Sequence, residues 1–377
     1  IPTMALPSQN HLKDIETNII VLNPLSGQIL AVIGTTASQD SDAQAGHTFQ
    51  LRSIPLNEHP AGSILTPFIY LTAFTRGYAP ASLVWDIPNP LVPEDIKNFD
   101  STYHGTMRLR TAFANDYLIP AVQLLTKIGA ENVWQILSRF GVISPSEYQG
   151  YSHNWEISAY EFFDQITFTL LEMVRSYAVF ANQGSLVGFN HYNQDNSAPL
   201  TPLIVLSLED YEGNNLNDSY GIKGEQAVQS RPIIDNQLAY LINNILSDES
   251  ARWLSLGHPN SLEIGRPAAV KFGRTISGRD FWTIGYVPQM VVGIWMGFPK
   301  GDIPEPIPSR AITGLWHSLM QYISRDLPAE GWELPPGISR LEVCDPSGML
   351  PSPDCPTVVS EVFLESNQPN QRDNLYQ

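Results

Sequence analysis

Two kinds of apolar pattern divide the chain. Ile19-Ile20-Val21-Leu22 and Ile29-Leu30-Ala31-Val32-Ile33 are short, largely β-branched runs. Asn23-Pro24-Leu25-Ser26-Gly27 separates them and Gly34 ends the second, which predicts a hairpin. Residues 36–57 carry no clear period and read as loop. A Pro/Gly turn, His59-Pro60-Ala61-Gly62, then feeds Ser63. Beyond it Ile64, Pro67 and Tyr70, and also Phe68, Leu71, Thr72 and Thr75, fall at helical spacing. The spacing predicts a buried helix to about Arg76-Gly77-Tyr78.

Residues 80–105 are rich in Pro, Asn and Asp and read as extended loop. The helical period resumes over Thr106 to Gly129, broken at Asn115 to Pro120, where Pro120 biases Ile119 away from the helical region. A short helix follows over 131–140 and ends at Gly141; a longer one is predicted from Glu161 to Phe180, with Gly184 as its stop. Residues 185–230 are polar, with one strand candidate at Leu203-Ile204-Val205-Leu206, and Ile234 to Leu246 is helical again. Ala268 to Phe272, Phe281 to Tyr286 and Met290 to Trp295 are apolar runs joined by short turns, an antiparallel meander. A closing helix spans Ile312 to Ile323, and 331–377 is Pro-rich and irregular. The expected fold is α+β: one antiparallel sheet built from both chain ends and covered by helices on both faces. The expected division is a linker over 1–17, a main domain over 18–330 and a tail module over 331–377.

Composition narrows this picture. The chain has 377 residues, 43% of them hydrophobic and 10% aromatic, as in a folded globular protein. A formal charge of −17 repels nucleic acid and anionic lipid headgroups, so neither is an expected partner. No run of about eighteen apolar residues is present, so no membrane span is expected in this chain. It opens at Ile1 without a signal-peptide pattern and reads as a processed or partial chain. Cys344 and Cys355 are the only cysteines, and a disulfide closing a small loop outside the cytoplasm is expected, against the alternative of two free thiols. His153, His191 and His258 lie in loops without metal-ligand spacing, and no metal or cofactor is expected.

Ser63 is the candidate centre of chemistry. A serine at a helix entry sits where backbone N–H groups converge, a field that favours an alkoxide or an anion; the bland alternative is a plain N-cap. Pro-x-Gly-Ser-x-x-x-Pro before an apolar helix resembles the nucleophile segment of penicillin-binding proteins. Asn23-Pro24-Leu25-Ser26-Gly27-Gln28-Ile29-Leu30-Ala31, Ile119-Pro120-Ala121-Val122, Tyr177-Ala178-Val179-Phe180-Ala181-Asn182-Gln183-Gly184, Arg279-Asp280-Phe281-Trp282 and Gly285-Tyr286-Val287-Pro288 are also similar to the transpeptidase domain of the bifunctional members. The match runs from about Ile19 to Phe298, and the tail resembles C-terminal segments of some members. The resemblance implies a serine-transpeptidase-like fold in the cell envelope and a serine acylated by a peptidoglycan stem peptide or by penicillin.

Three departures stand against that activity. The S-x-x-K motif reads Ser63-Ile64-Leu65-Thr66, so the lysine that would take the serine proton is missing. The S-x-N positions hold Asp116 and Leu118, and K-T-G-T reads Lys271-Phe272-Gly273-Arg274, followed by Thr275. By resemblance, Ser63, Thr66, Asp116 and Lys271 occupy the catalytic positions and Leu118, Gly273, Arg274 and Thr275 the substrate-binding ones. If the motifs converge, Lys271 and Asp116 form a salt bridge that lowers the carboxylate pKa and holds the lysine protonated, so neither is an effective base. His59 is a candidate base for Ser63, against the reading of a surface turn histidine. Arg274 pairs either with a substrate carboxylate or with a partner such as Asp280. Two functions follow: a non-catalytic binding or scaffold module of the cell envelope, recognising stem peptide or envelope proteins, or a working acyl-transferase or carboxypeptidase with altered machinery.

Overall fold

The computed structural model describes residues 15–35, 57–90, 92–94, 96–142, 158–189, 200–217, 228–298 and 307–376. The loop expected over 36–57 lies almost wholly outside them, as do residues 1–14 of the expected linker, His153 and His191. In chain order the elements are β1 (Glu16–Asn23), β2 (Gln28–Thr35), β3 (Glu58–Pro60), α1 (Thr66–Phe74), β4 (Leu83–Asp86), β5 (Gly105–Arg108), α2 (Leu109–Ala114), α3 (Leu118–Ile128) and α4 (Ala130–Arg139). After these come β6 (Thr167–Thr169), α5 (Leu170–Ala181), β7 (Ser185–Phe189), β8 (Val228–Pro232), α6 (Asn236–Leu246) and α7 (Trp253–Leu256). The last are β9 (Ala269–Arg274), β10 (Asp280–Val287), β11 (Met290–Gly297), α8 (Ser309–Ser324), β12 (Ile338–Cys344) and β13 (Val358–Leu364).

The expected sheet is present. Five antiparallel strands lie in the order β2-β1-β11-β10-β9, joining the N-terminal hairpin to the late meander through β1 and β11. Strand alternation sends side chains to two separate cores. Ile20, Leu22, Trp282, Ile284, Tyr286 and Trp295 pack with α1, α3, α5 and α6 on one face. Ile19, Val21, Val270, Phe281, Val292 and Ile294 pack with Ile312, Trp316 and Met320 of α8 on the other. Both faces are therefore helix-covered, and β10 and β11 are buried along their whole length. Among the described residues, no helix is long and apolar enough to cross a membrane.

Several local expectations fail, each for a readable reason. The helix predicted from Glu161 starts only at Leu170. Thr169 and Glu172 form a capping box there, and the preceding residues make a π-type turn and the short strand β6. Residues 80–105 contain β4, paired with β5, rather than loop alone. The strand expected at 203–206 is a single bridge of Leu203 to Gln28, while β7 and β8 form the pair that was not foreseen in 185–230. Ile119 is helical despite Pro120, which is tolerated in the first turn of α3 where no N–H partner is lost.

The tail is not irregular. β12 and β13 pair over seven residues, and Cys344 and Cys355 are joined by a disulfide with Cα atoms 5.8 Å apart. The hairpin is fixed to the main domain by buried charge. Glu361, 1% exposed, accepts from Arg108 Nη1 at 2.7 Å and from Arg110 Nε at 2.9 Å. Arg108 Nε also donates to Asp345 at 2.6 Å. A buried ion network is costly to break from one side, because it strands the opposite charge. Glu361→Ala is therefore expected to lower the unfolding free energy by roughly 3 kcal/mol; a loss below about 1 kcal/mol in chemical denaturation, the range of an exposed pair, means the network carries little of the docking.

A second buried acid lies in β10. The Asp280 carboxylate accepts from Trp295 Nε1 at 3.1 Å, and burial raises its pKa to about 7. An unfolded Asp ionises near 4, so between about pH 4 and pH 7 the folded chain keeps a proton the unfolded chain has lost. Stability from this group is full at low pH and falls as pH rises through that window. Asp280→Asn removes the slope. Its stability relative to the parent is expected to improve by on the order of 2–4 kcal/mol between pH 4 and pH 7.5, and parallel pH–stability curves for the two proteins count against the assignment.

Candidate active site

Ser63 lies within a 3-10 turn, Gly62–Leu65, that runs directly into α1, with Pro67 in the first turn. It is not the helix N-cap. The turn is held from three sides: Ala61 N–H donates to Ile166 O at 3.0 Å, Tyr177 OH to Ile64 O at 2.7 Å, and Trp282 Nε1 to Pro60 O at 2.9 Å. β9 runs against it with almost no clearance. A Cβ on Gly62 would meet the Arg274 carbonyl at 2.3 Å, and one on Gly273 would meet Ile64 N at 2.4 Å. Gly62 also has φ +59°, a backbone state that disfavours any other residue. The two glycines thus set the distance between the serine turn and the strand.

Four sequence-predicted residues converge there. Ser63 Oγ donates to Asp116 Oδ2 at 2.6 Å and accepts from the backbone N–H of Arg274 at 3.1 Å. Lys271 Nζ, on β9, is ion-paired to Asp116 Oδ1 and donates to Phe272 O at 2.7 Å. Thr66 does not replace the missing amine. Its hydroxyl donates to Ser63 O at 2.8 Å, one helical turn back, and is 2% exposed. Asp116 reaches the site because it breaks the α2–α3 junction with φ +55°, a left-handed state that Asp tolerates better than most residues.

The electrostatics differ from the sequence expectation. A lowered carboxylate and a protonated lysine were expected from the ion pair alone. Burial is the larger effect: it pushes the Asp116 carboxyl up and the Lys271 amine down, with the mutual attraction opposing both.

The other predicted residues are placed as follows. Leu118 is 1% exposed and packs in the helical core, while its N–H donates to Asn98 Oδ1 at 2.9 Å. Thr275 shapes the β9–β10 turn, its Oγ1 accepting from Arg279 and Asp280 N–H, both at 3.1 Å. Arg274 does not pair with Asp280. Its guanidinium lies 3.5 Å from the Phe99 ring centroid, and burial lowers its pKa to about 10. His59 is neither base nor surface residue: it is 8% exposed, stacked on Trp295 at 3.4 Å, and burial lowers its pKa to about 4.

Sequence reasoning missed Asn98 and its support. Asn98 Nδ2 donates to both Asp86 oxygens at 2.8 Å, and Asp86 also contacts His104 Nδ1 at 2.6 Å. This cluster fixes the loop that carries Phe99 and caps the start of α3. Its residues sit in a Pro- and Asn-rich stretch without period, where no local signal marks them. Beside the site is a cavity of about 250 Å³ lined by Asp100, Asp116, Lys271, Arg252 and Arg274 among polar and apolar side chains.

Residues 17–250 match the family described as penicillin binding protein transpeptidase domain, and residues 334–377 the family described as penicillin-binding protein 1A, C-terminal domain. Penicillin-binding protein 1A of Pseudomonas aeruginosa is 25% identical over 404 residues, covering 96% of this chain and 46% of that relative. The Escherichia coli protein of the same name is 23% identical over 426 residues, covering 95% and 48%. The chain thus spans about half the length of the curated relatives it matches. Among solved structures, penicillin-binding protein 1A from Haemophilus influenzae shares the fold with a TM-score of 0.72 at 22% identity, over 95% of this chain and 55% of that one. PonA1 of Mycobacterium tuberculosis in complex with penicillin V gives 0.61 at 19%, over 85% and 81%. With the first family match alone covering more than half of its length, this chain belongs to the penicillin-binding protein transpeptidase family.

Proposed function

We propose that this chain is a transpeptidase-fold domain of the bacterial cell envelope that has lost efficient acylation. It serves as a binding or scaffold module, retaining contact with peptidoglycan stem peptide or with envelope proteins. One observation carries the reading: the Ser63 hydroxyl donates to a carboxylate that is itself tied to Lys271, and among the described residues no amine hydrogen-bonds to Ser63 Oγ. A serine hydroxyl is a weak nucleophile unless a base of matched pKa takes its proton. Phe272 and Arg274 stand where the family motif has threonines, and both line the cavity beside the site. The backbone N–H of Arg274, an oxyanion-type donor, is already bonded to Ser63 Oγ.

A second reading has one observation in its favour. Asp116 Oδ2 accepts a hydrogen bond from Ser63 Oγ at 2.6 Å and burial raises its pKa, which makes it a stronger base than an exposed carboxylate. On that reading the chain is a slow serine acyl-transferase, a transpeptidase or carboxypeptidase of stem peptides. Labelling with a fluorescent penicillin separates the two. The wild-type chain is expected to label weakly, no more than Ser63→Ala. Thr66→Lys combined with Asp116→Ser is expected to raise labelling by about a hundredfold or more, the scale on which a catalytic unit gains or loses a member. Rapid stoichiometric labelling of wild type, abolished by both Ser63→Ala and Asp116→Asn, establishes the second reading instead.

A further inference from the structure

A second space lies on α8, away from the serine. A groove of about 460 Å³ runs between the N-terminal half of that helix and the segment 255–262. It abuts the cavity beside Ser63 through Leu256 and Leu262, but none of Ser63, Asp116, Lys271, Phe272 and Arg274 lines it. α8 covers the sheet face opposite the one that packs on α1.

The helical wall is set by Gly314. Neither reason that fixes glycines elsewhere in this fold applies to it: its φ is not positive, and a Cβ on it would meet nothing within 4 Å. Inside a helix glycine is the poorest residue apart from proline. What its missing side chain supplies here is room. Arg310, Gly314 and His317 fall at i, i+4 and i+7 on one helix face, so the gap lies between two basic side chains.

The opposite wall is already fixed. Asn260 Nδ2 donates to Gly257 O at 2.8 Å and to Glu263 Oε1 at 2.6 Å, and its Oδ1 accepts from Leu262 N–H at 3.0 Å. His317 Nδ1–H donates to Ser261 O at 3.1 Å, which ties the two walls together and leaves Nε2 for another partner. The lining has a consistent chemistry. The chain carries 38 acidic against 21 basic side chains other than histidine, yet no carboxylate lines this groove. Arg310 is exposed and makes no ion pair among the described residues. Leu256, Pro259 and Leu262 form an apolar strip, and the hydroxyls of Ser255, Ser261 and Ser309 stand beside it. Apolar carbon next to hydroxyls suits a sugar ring, which has a C–H face and an O–H edge, and an unpaired guanidinium at one end suits an oxyanion.

We propose that this groove is a reversible binding site for a phosphorylated sugar. The phosphate accepts charge-assisted hydrogen bonds from Arg310. The ring lies over Gly314 with its C–H face on Leu256, Pro259 and Leu262, and a ring hydroxyl donates to His317 Nε2. No bond forms to Ser63, so the site is independent of whether that serine acylates.

The test is calorimetry on the 377-residue chain with glucose 6-phosphate, glucose and inorganic phosphate. Saturable binding of glucose 6-phosphate with a concentration-dependent rise in Tm is expected, with glucose and phosphate each weaker by about tenfold or more. Gly314→Leu fills the gap and is expected to abolish binding while folding at least as stably, since leucine is the better helix former. Arg310→Gln, on an exposed residue, is expected to weaken glucose 6-phosphate by about tenfold. Ser63→Ala is expected to bind it as the wild type does, which separates this site from penicillin labelling. Absence of saturable binding, equal affinity for glucose or for phosphate, unchanged affinity in Gly314→Leu or Arg310→Gln, or a loss in Ser63→Ala overturns the proposal.

Discussion

The Asp116 carboxylate, buried between Ser63 and Lys271, is the contact on which the site depends. A charge placed there needs partners on both oxygens, and it has them: a hydroxyl on one and an ammonium on the other. The arrangement is mutually enforcing. Without Lys271 the carboxylate is a desolvated anion; without Asp116 the lysine is a desolvated cation beside a backbone carbonyl. Burial itself favours the uncharged carboxyl and amine, and the mutual attraction of the pair opposes it. The serine turn and β9 are drawn together by this contact and admitted to it by Gly62 and Gly273, which leave no room for a side chain between them.

Distant parts of the chain converge on the short helix α2. Its N-terminal end carries Arg108 and Arg110, clamped by Glu361 of the C-terminal hairpin. Its C-terminal end delivers Asn115, which holds the Arg252 segment, and Asp116, which holds Ser63. The helix is six residues long, so its two ends lie within two turns of each other. The Asn98 and Asp86 cluster does the same for α3 from the other side of the break. The geometry around Ser63 is thus a property of the whole chain, including a C-terminal module that contributes no group to the site.

Much of the fold was legible because burial on both faces writes a simple pattern. β10 and β11 appear as largely apolar runs, and the closing helix shows its stripe of Ile312, Trp316 and Met320. The failures share a cause. The capping box at Thr169 and Glu172 was present in the sequence as T-x-x-E, but the apolar spacing before it, at Phe162, Phe163 and Ile166, continued the helical count and masked the boundary. The tail hairpin was missed because prolines outnumber the clues from Val343, Val362 and Phe363, whose burial comes partly from the main domain. The meeting of Asp116 and Lys271, 155 residues apart, has no local signal; it was reached only through the likeness of the motifs to the family. Even then the sign of the pKa shifts was misjudged, since an ion pair is visible in a sequence and its depth of burial is not.

The edge of the sheet runs directly against the serine turn, so Ser63 and β9 share their contacts. β9 is the outermost strand, and an extended ligand adding to it needs free N–H and C=O groups on its outer side. At the two positions nearest the serine those groups are already used: Phe272 O accepts from Lys271, and Arg274 N–H donates to Ser63. A strand-adding peptide therefore competes with Ser63 for the Arg274 N–H, whereas the Phe272 carbonyl keeps a second lone pair beside its bond from Lys271. Phe272 and Arg274 add bulk at the same two positions, with Arg274 anchored on Phe99. Arg274 thus meets the serine turn through its backbone and Phe99 through its guanidinium, while Phe272 packs on Phe281 and the second core.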